Sequence, residues 1–303
     1  MDLQNYLGNK HVVKASIFVG ETFPLRIGYR LAELFARFLT KFENSDLSRA
    51  IRANQWVAQG ENLNHKELVS ATRAVLTHAG TCYFDLYHTW RDPEALLERV
   101  PTSRSIEDFI EFTNRDEGVL VVAPHLSNFD LVIRALASYG FKAKILTLEN
   151  PTSGNEVQNR LRATTGLDIT PLNDPQVYEK VIKHLKSGGV AATGVDRPPQ
   201  PVRKKRHPVN FLGRPSALPV GYIRMALAAD VPIVVVAVKQ LPTKDYTLLY
   251  SGPITLKRFD NRLEETIYNA EMILEHIGGY ILQAPEQWLM YYPVWPDVMD
   301  LVP

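Results

Sequence analysis

Val119-Leu-Val-Val-Ala-Pro-His-Leu-Ser-Asn-Phe-Asp130 is the stretch that sets the architecture. Its first five residues are apolar and mostly β-branched. The run stops at Pro124 and His125, and from Asn128 onward apolar residues return at helical spacing. A short apolar run, a break and then a 3.6-residue period read as a buried strand, a tight loop and a helix. Polar side chains at the carboxyl end of such a strand lie where open α/β sheets bind ligands. An imidazole and a carboxylate there, His125 and Asp130, suggest a general base with an orienting partner. The same two residues could also be a buried hydrogen-bonded pair with no chemical role.

Downstream of Gly118 the pattern alternates. Strands are predicted over 119–123, 144–148, 190–195, 232–238 and 246–250, with helices over 128–139, 155–165, 175–186, 216–229 and 261–282. Gly140, Gly166 and the pair Gly188-Gly189 stand where helices stop. Strands separated by helices predict an α/β fold with a central, mostly parallel mixed sheet flanked by helices. Upstream, the chain reads as helical to about residue 97, with one long helix over 68–87. Residues 99–105 read as a connection, with Ser105 capping a short helix over 106–110. The expected organisation is an N-terminal amphipathic helical region, 1–100, packed on an α/β core, 101–303, as one structural domain.

The chain has 303 residues, 45% of them hydrophobic, enough for a sizeable core without metal or disulfide. A formal net charge of +1 gives no global attraction to nucleic acid. Cys82 is the only cysteine, so no intrachain disulfide forms and the composition fits a reducing compartment. The opening residues lack the basic start and apolar region of a secretory signal. No window reaches the roughly 20 uninterrupted apolar residues of a membrane span. The nearest is 12–42, broken by charges. Within it, Ile27, Leu31, Leu34, Phe35 and Phe38 recur at helical spacing, with Arg30, Arg37 and Lys41 on other faces. That is an amphipathic helix, either core-facing or lying in a membrane interface.

Three further segments accompany the His-x4-Asp pair: Gly188-Gly-Val-Ala-Ala-Thr-Gly-Val-Asp-Arg-Pro198, Val209-Asn-Phe-Leu-Gly-Arg-Pro-Ser-Ala-Leu-Pro-Val-Gly221 and Ala284-Pro-Glu-Gln-Trp-Leu-Met-Tyr-Tyr-Pro-Val-Trp295. As an ordered set they resemble the lysophospholipid acyltransferase superfamily, in the branch of the bacterial lipid A biosynthesis (lauroyl/myristoyl) acyltransferases and the phosphatidylinositol mannoside acyltransferases. The resemblance spans about 29–295. It implies a glycerol-3-phosphate acyltransferase-like fold and catalysis by His125 and Asp130. It also matches Arg162 and Gly166 to an Arg-x3-Gly element, and Asp196 and Arg197 to the Asp-Arg after the Gly-rich strand. The implied reaction moves an acyl group from acyl carrier protein or coenzyme A to a hydroxyl of a membrane lipid or glycolipid, with no cofactor and no metal. The chain departs from the pattern by lacking the common N-terminal transmembrane helix. It also places Arg214 after Phe-Leu-Gly, where phosphatidylinositol mannoside relatives tend to carry an acid.

On this reading His125 accepts the alcohol proton and Asp130 holds its tautomer. Backbone N–H groups around Ser127 and Asn128 would take the oxyanion at a helix start. Arg162 or Arg197 would bind a phosphate of donor or acceptor, unless the first is a surface residue and the second a structural partner of Asp196. Transfer is expected to be direct, because no serine or cysteine has a nucleophile-elbow setting. The run 203–207 could anchor acidic groups or be solvated loop. His78, Cys82 and His88 match no metal-site spacing. Tyr83, Phe84, Tyr87 and Trp90 could line an acyl groove or pack in the core, and Glu286, Gln287 and Trp288 suggest a packing role. The expected protein is a peripheral enzyme on the cytoplasmic face of the inner membrane. An acyl-thioesterase using the same dyad and a non-catalytic lipid-binding protein are the competing functions.

Overall fold

The computed structural model describes residues 9–147, 153–172, 176–199 and 207–303. Its strands are β1 (Val119–Ala123), β2 (Lys144–Thr147), β3 (Asp168–Pro171), β4 (Val190–Gly194), β5 (Val209–Phe211), β6 (Arg214–Ser216), β7 (Ile233–Gln240) and β8 (Tyr246–Ile254). Six of them form one sheet in the order β3-β2-β4-β1-β7-β8. Every pairing in it is parallel except β7 with β8. β5 and β6 form a separate hairpin.

Helices α1 (Lys10–Thr22), α2 (Leu25–Leu39), α3 (Asp46–Ala58), α4 (His65–His88), α5 (Pro93–Arg99) and α6 (Arg104–Thr113) precede the sheet. Within the sheet region follow α7 (Phe129–Ser138), α8 (Ser153–Ala163), α9 (Val177–Lys186), α10 (Gly221–Ala229) and α11 (Arg262–Ile281). The architecture is the α/β one expected from the sequence, with a mostly parallel central sheet, flanking helices and an N-terminal helical segment.

The continuous apolar run of β1 follows from burial on both faces. Val119 and Val121 meet Leu131, Val132, Ala135 and Leu136 of α7, with Ile106 and Phe109 of α6. Leu120 and Val122 meet the opposite layer, where Val181 and Leu185 of α9, Ile223 and Ala226 of α10 and Ile273 and Ile277 of α11 lie. Each Val, Leu, Ile or Phe side chain among them contributes on the order of 1.5–3 kcal/mol when fully buried. The chain leaves β1 through α7 on one face toward β2, and leaves β4 toward β7 through α10 on the other. Neighbouring parallel strands whose connections part in opposite directions open a crevice at their carboxyl ends. Here that crevice lies between β1 and β4.

Three strands, β3, β5 and β6, were not expected from the sequence. β3 is a four-residue edge strand ending in Pro171, too short for a period-2 signal. Ser216, expected to start a helix, instead ends a strand, 214–216, that pairs with 209–211, and the helix α10 starts at Gly221. The hairpin turns at Leu212 (φ 50°) and Gly213 (φ 82°), which is primed-turn backbone without the Asn-Gly pair that signals it. Ser103, not Ser105, caps α6, its hydroxyl accepting from Ile106 N–H at 3.4 Å.

The N-terminal layer is organised by α4, whose start carries a reciprocal capping box between Asn64 and Glu67. α2 lies close on it through small residues: a Cβ at Gly28 would overlap the Phe84 ring, and one at Gly80 would reach Ala32 Cβ at 2.9 Å. Tyr29 of α2, Arg99 of α5 and Tyr246 of β8 all hydrogen-bond the buried carboxylate of Asp85 on α4, at 2.8, 2.8 and 2.6 Å. Burial pushes the Asp85 carboxyl up, and the Arg99 charge opposes that only partly.

Because α2 buries Gly28, Ala32, Ala36 and Leu39, its bulky apolar face turns outward. Leu31, Leu34, Phe35 and Phe38 are exposed, Leu34 at 59% and Phe38 at 52%. The core-facing alternative for this helix therefore fails for these four side chains, while Leu39 does face the core. Among the described residues, no helix is long and apolar enough to cross a membrane.

Candidate active site

The register of the two central strands brings the site together. Ala123 of β1 stands opposite Gly194 of β4. Two residues beyond each lie His125 and Asp196, so the parallel pairing carries both into the same crevice. There the His125 ring Nδ1 lies 2.6 Å from Asp196 Oδ1. The His125 backbone N–H donates to Asp196 Oδ2 at 2.9 Å. Asp196 is fully buried, while the His125 side chain keeps 26% of its surface exposed.

Asp196 takes the place expected for Asp130. The Asp130 carboxylate sits in the first turn of α7, accepts from Arg162 Nε at 2.6 Å and forms an ion pair with Arg162 Nη2 at 2.5 Å. The spacing of five residues cannot return Asp130 to Nδ1, which a neighbouring strand end already occupies. Arg162, expected as a phosphate ligand, is thereby committed. It also reaches Asn159 Oδ1 at 2.8 Å and lies over the Phe129 ring. Among the described residues Arg197 forms no ion pair within 4 Å, although the Asp196 charge acts on it. Its guanidinium lies 3.8 Å from the centre of the Tyr292 ring, and burial pulls its pKa down.

Burial alone would raise the Asp196 pKa. The neighbouring His125 charge, the ring and backbone bonds from His125 and the Trp288 indole outweigh it, and the carboxyl lies below its ordinary value of 3.8. For a carboxyl lowered on folding, the sign is fixed. Its stabilising contribution is present above pH 3.8 and fades as pH falls toward the lowered value. Asp196 is thus a permanent anion at neutral pH, able to hold a proton on Nδ1. That leaves Nε2 as the basic ring nitrogen.

The C-terminal segment builds the far wall, a role that the sequence reading gave only as packing. Trp288 is 1% exposed, and its Nε1–H donates to Asp196 Oδ2 at 2.7 Å. It sits among Phe211 and Trp295, at centroid distances of 6.1 and 6.3 Å. Leu289 N–H donates to the His125 carbonyl and Ser127 N–H to the Gln287 carbonyl, both at 2.8 Å. The Gln287 side chain in turn pairs with both backbone groups of Gln240 at the end of β7. A buried tryptophan needs a partner for its N–H, and that was the available signal for Trp288.

Ser127 corrects one expectation. Its amide already donates to Gln287, so it is not an open oxyanion donor. It adopts φ 52° between a strand and a helix, but not the elbow setting, in which the hydroxyl is exposed. Its hydroxyl is buried against His78 Nε2 at 2.9 Å, away from solvent. Asn128 caps α7: its Oδ1 accepts from Leu131 N–H at 3.3 Å and its Nδ2 donates to the Cys82 carbonyl at 2.8 Å. Elsewhere, His88 Nδ1 lies 2.8 Å from the Gly20 carbonyl. Phe84 and Tyr87 are buried while Tyr83 is exposed. Arg214 pairs with Glu61 and stacks near Trp56. Of the basic run 203–207, only His207 lies within the described residues.

Gly194 leaves room for the imidazole. A Cβ there would approach His125 Cε1 to 2.9 Å, so the ring would have to move. Gly194→Ala is expected to lower turnover on the order of 10²-fold through that displacement. Steady-state kinetics beside a thermal melt check it: unchanged turnover would show that the ring position is immaterial.

No curated protein matches the chain. The model of one family, described as bacterial lipid A biosynthesis acyltransferase, matches residues 6–296 and so takes in both strand ends and the C-terminal wall. The chain belongs to that family.

Proposed function

We propose that the chain transfers a fatty acyl group from an acyl thioester, carried by acyl carrier protein or coenzyme A, to a hydroxyl of a glycolipid or phospholipid at a membrane surface. The observation that carries this reading is the His125–Asp196 pair at the β1/β4 crevice, with the imidazole partly exposed. Nε2 accepts the acceptor's hydroxyl proton as its oxygen attacks the thioester carbonyl, and Asp196 stabilises the imidazolium that forms. The tetrahedral oxyanion lies near the start of α7, where the amides of Asn128 and Phe129 and the helix dipole favour negative charge. Collapse expels the thiolate, which takes the proton from the imidazolium, giving ester and free thiol. Arg197 would bind a phosphate of donor or acceptor through its guanidinium. Incubation with palmitoyl-coenzyme A or palmitoyl-acyl carrier protein and a mixed glycolipid extract, followed by mass spectrometry, is expected to show lipids heavier by one acyl group. Free fatty acid with no acylated lipid would mean a hydrolase, and tight lipid binding with no turnover a carrier.

The exposed apolar face of α2, with Arg26, Arg30 and Lys41 beside it, is the membrane contact in this reading, on the cytoplasmic face of the inner membrane. The protein is expected to float with anionic liposomes. The triple variant Leu34→Ser, Phe35→Ser, Phe38→Ser should bind at least about tenfold more weakly, since each side chain withdraws on the order of 1.5–3 kcal/mol of burial. Equal flotation of the two proteins at low salt would place the contact elsewhere.

A further inference from the structure

His78 takes no part in the dyad, yet it touches the loop that carries it. It lies on α4, 9% exposed, with Nε2 2.9 Å from Ser127 Oγ and 3.4 Å from Cys82 Sγ. One turn further along α4, the Cys82 carbonyl accepts from Asn128 Nδ2 at 2.8 Å. The two residues after Leu126 are thus both fastened to one face of α4. Ser127 is the unusual member. At φ 52° it occupies the left-handed region, where glycine is the default. A serine held there at 1% exposure needs a partner for its buried hydroxyl, and His78 Nε2 supplies one at 2.9 Å, beside the Cys82 thiol. The backbone on either side is what the reaction uses. His125 lies two residues before, its carbonyl held by Leu289 N–H, and the first turn of α7 begins two residues after.

We propose that His78 is a positioning residue: through Ser127 it locks the left-handed turn that fixes the His125 imidazole relative to the first-turn amides of α7. This rests on the reading of His125 as the base. Burial, aided by the Lys244 charge, lowers the His78 pKa to about 4, so its ring is neutral at neutral pH and stays a hydrogen-bonding partner rather than a buried charge. Its buried position also separates it from the reacting atoms. A loss of His78 should therefore slow the chemical step without weakening the binding of substrates.

The test measures kcat and KM for palmitoyl transfer to the lipid extract in His78→Leu, His78→Gln, Ser127→Gly and the double variant His78→Leu/Ser127→Gly. His125→Ala runs alongside as the control. His78→Leu and Ser127→Gly should each lower kcat about 10- to 100-fold with KM within about twofold, an effect of the size that misplaced catalytic groups produce. His78→Gln, which keeps an amide near the Nε2 position, should recover most of that loss. The double variant should be no slower than the worse single one. Ser127→Gly suits the backbone angle, so it reads the lost hydroxyl even if His78→Leu folds poorly. Wild-type kcat in Ser127→Gly, no recovery in His78→Gln, or multiplying losses in the double variant would overturn the inference and leave the base assignment intact. Full activity in His125→Ala would overturn the base assignment itself.

Discussion

His125→Ala should lose acyl transfer by about 10³-fold or more, since a positioned general base contributes roughly 10²–10⁴-fold and, among the described residues, no second imidazole stands in the crevice. The variant should remain folded. Asp196 keeps two of its donors without the ring, the His125 backbone N–H at 2.9 Å and the Trp288 indole at 2.7 Å. Its buried charge is therefore not stranded. His125→Gln should be equally inactive, because an amide can donate to Asp196 but cannot accept the alcohol proton. Turnover by either variant within about tenfold of wild type, a loss smaller than the lower end of that range, would mean that another group does the proton transfer.

Asp196→Asn should come close to the same loss, on the order of 10³–10⁴-fold, because a neutral carboxamide neither fixes the Nδ1–H tautomer nor stabilises an imidazolium. Asp130→Asn separates the two carboxylates. It strips Arg162 of its anion, in a pair whose side chains are 12% and 8% exposed, and breaking a buried pair of that kind costs about 3 kcal/mol or more. Its first effect should be on the melting temperature, with a smaller one on turnover. Kinetics and melts of the two variants side by side decide the point. A greater turnover loss in Asp130→Asn than in Asp196→Asn would return the orienting role to Asp130.

The strand, loop and helix of 119–138 were legible because β1 is buried on both faces and α7 on one, so burial wrote its period directly into the residue types. His125 was legible because a polar residue ended that run. Its true partner was not, since the contact depends on Ala123 facing Gly194, a register between strands about seventy residues apart. Sequence spacing favoured Asp130, five residues on, whereas the parallel ladder chose Asp196. The roles of Trp288 and Gln287 were hidden for the same reason: they act through long-range hydrogen bonds, to Asp196 and Gln240, that no local pattern encodes. α2 shows the converse. Its amphipathic period was plain, but which face turns inward was set by small residues, Gly28, Ala32 and Ala36, meeting α4. A hydrophobicity count does not weigh those residues.

The central claim is that His125 and Asp196 act as one unit in proton transfer, and a double-mutant cycle on kcat/KM for acyl transfer measures that directly. If they do, His125→Ala/Asp196→Asn should be no slower than His125→Ala alone, as expected when removal of either member disables the unit. Losses that multiply across the two sites would show independent contributions and contradict the account.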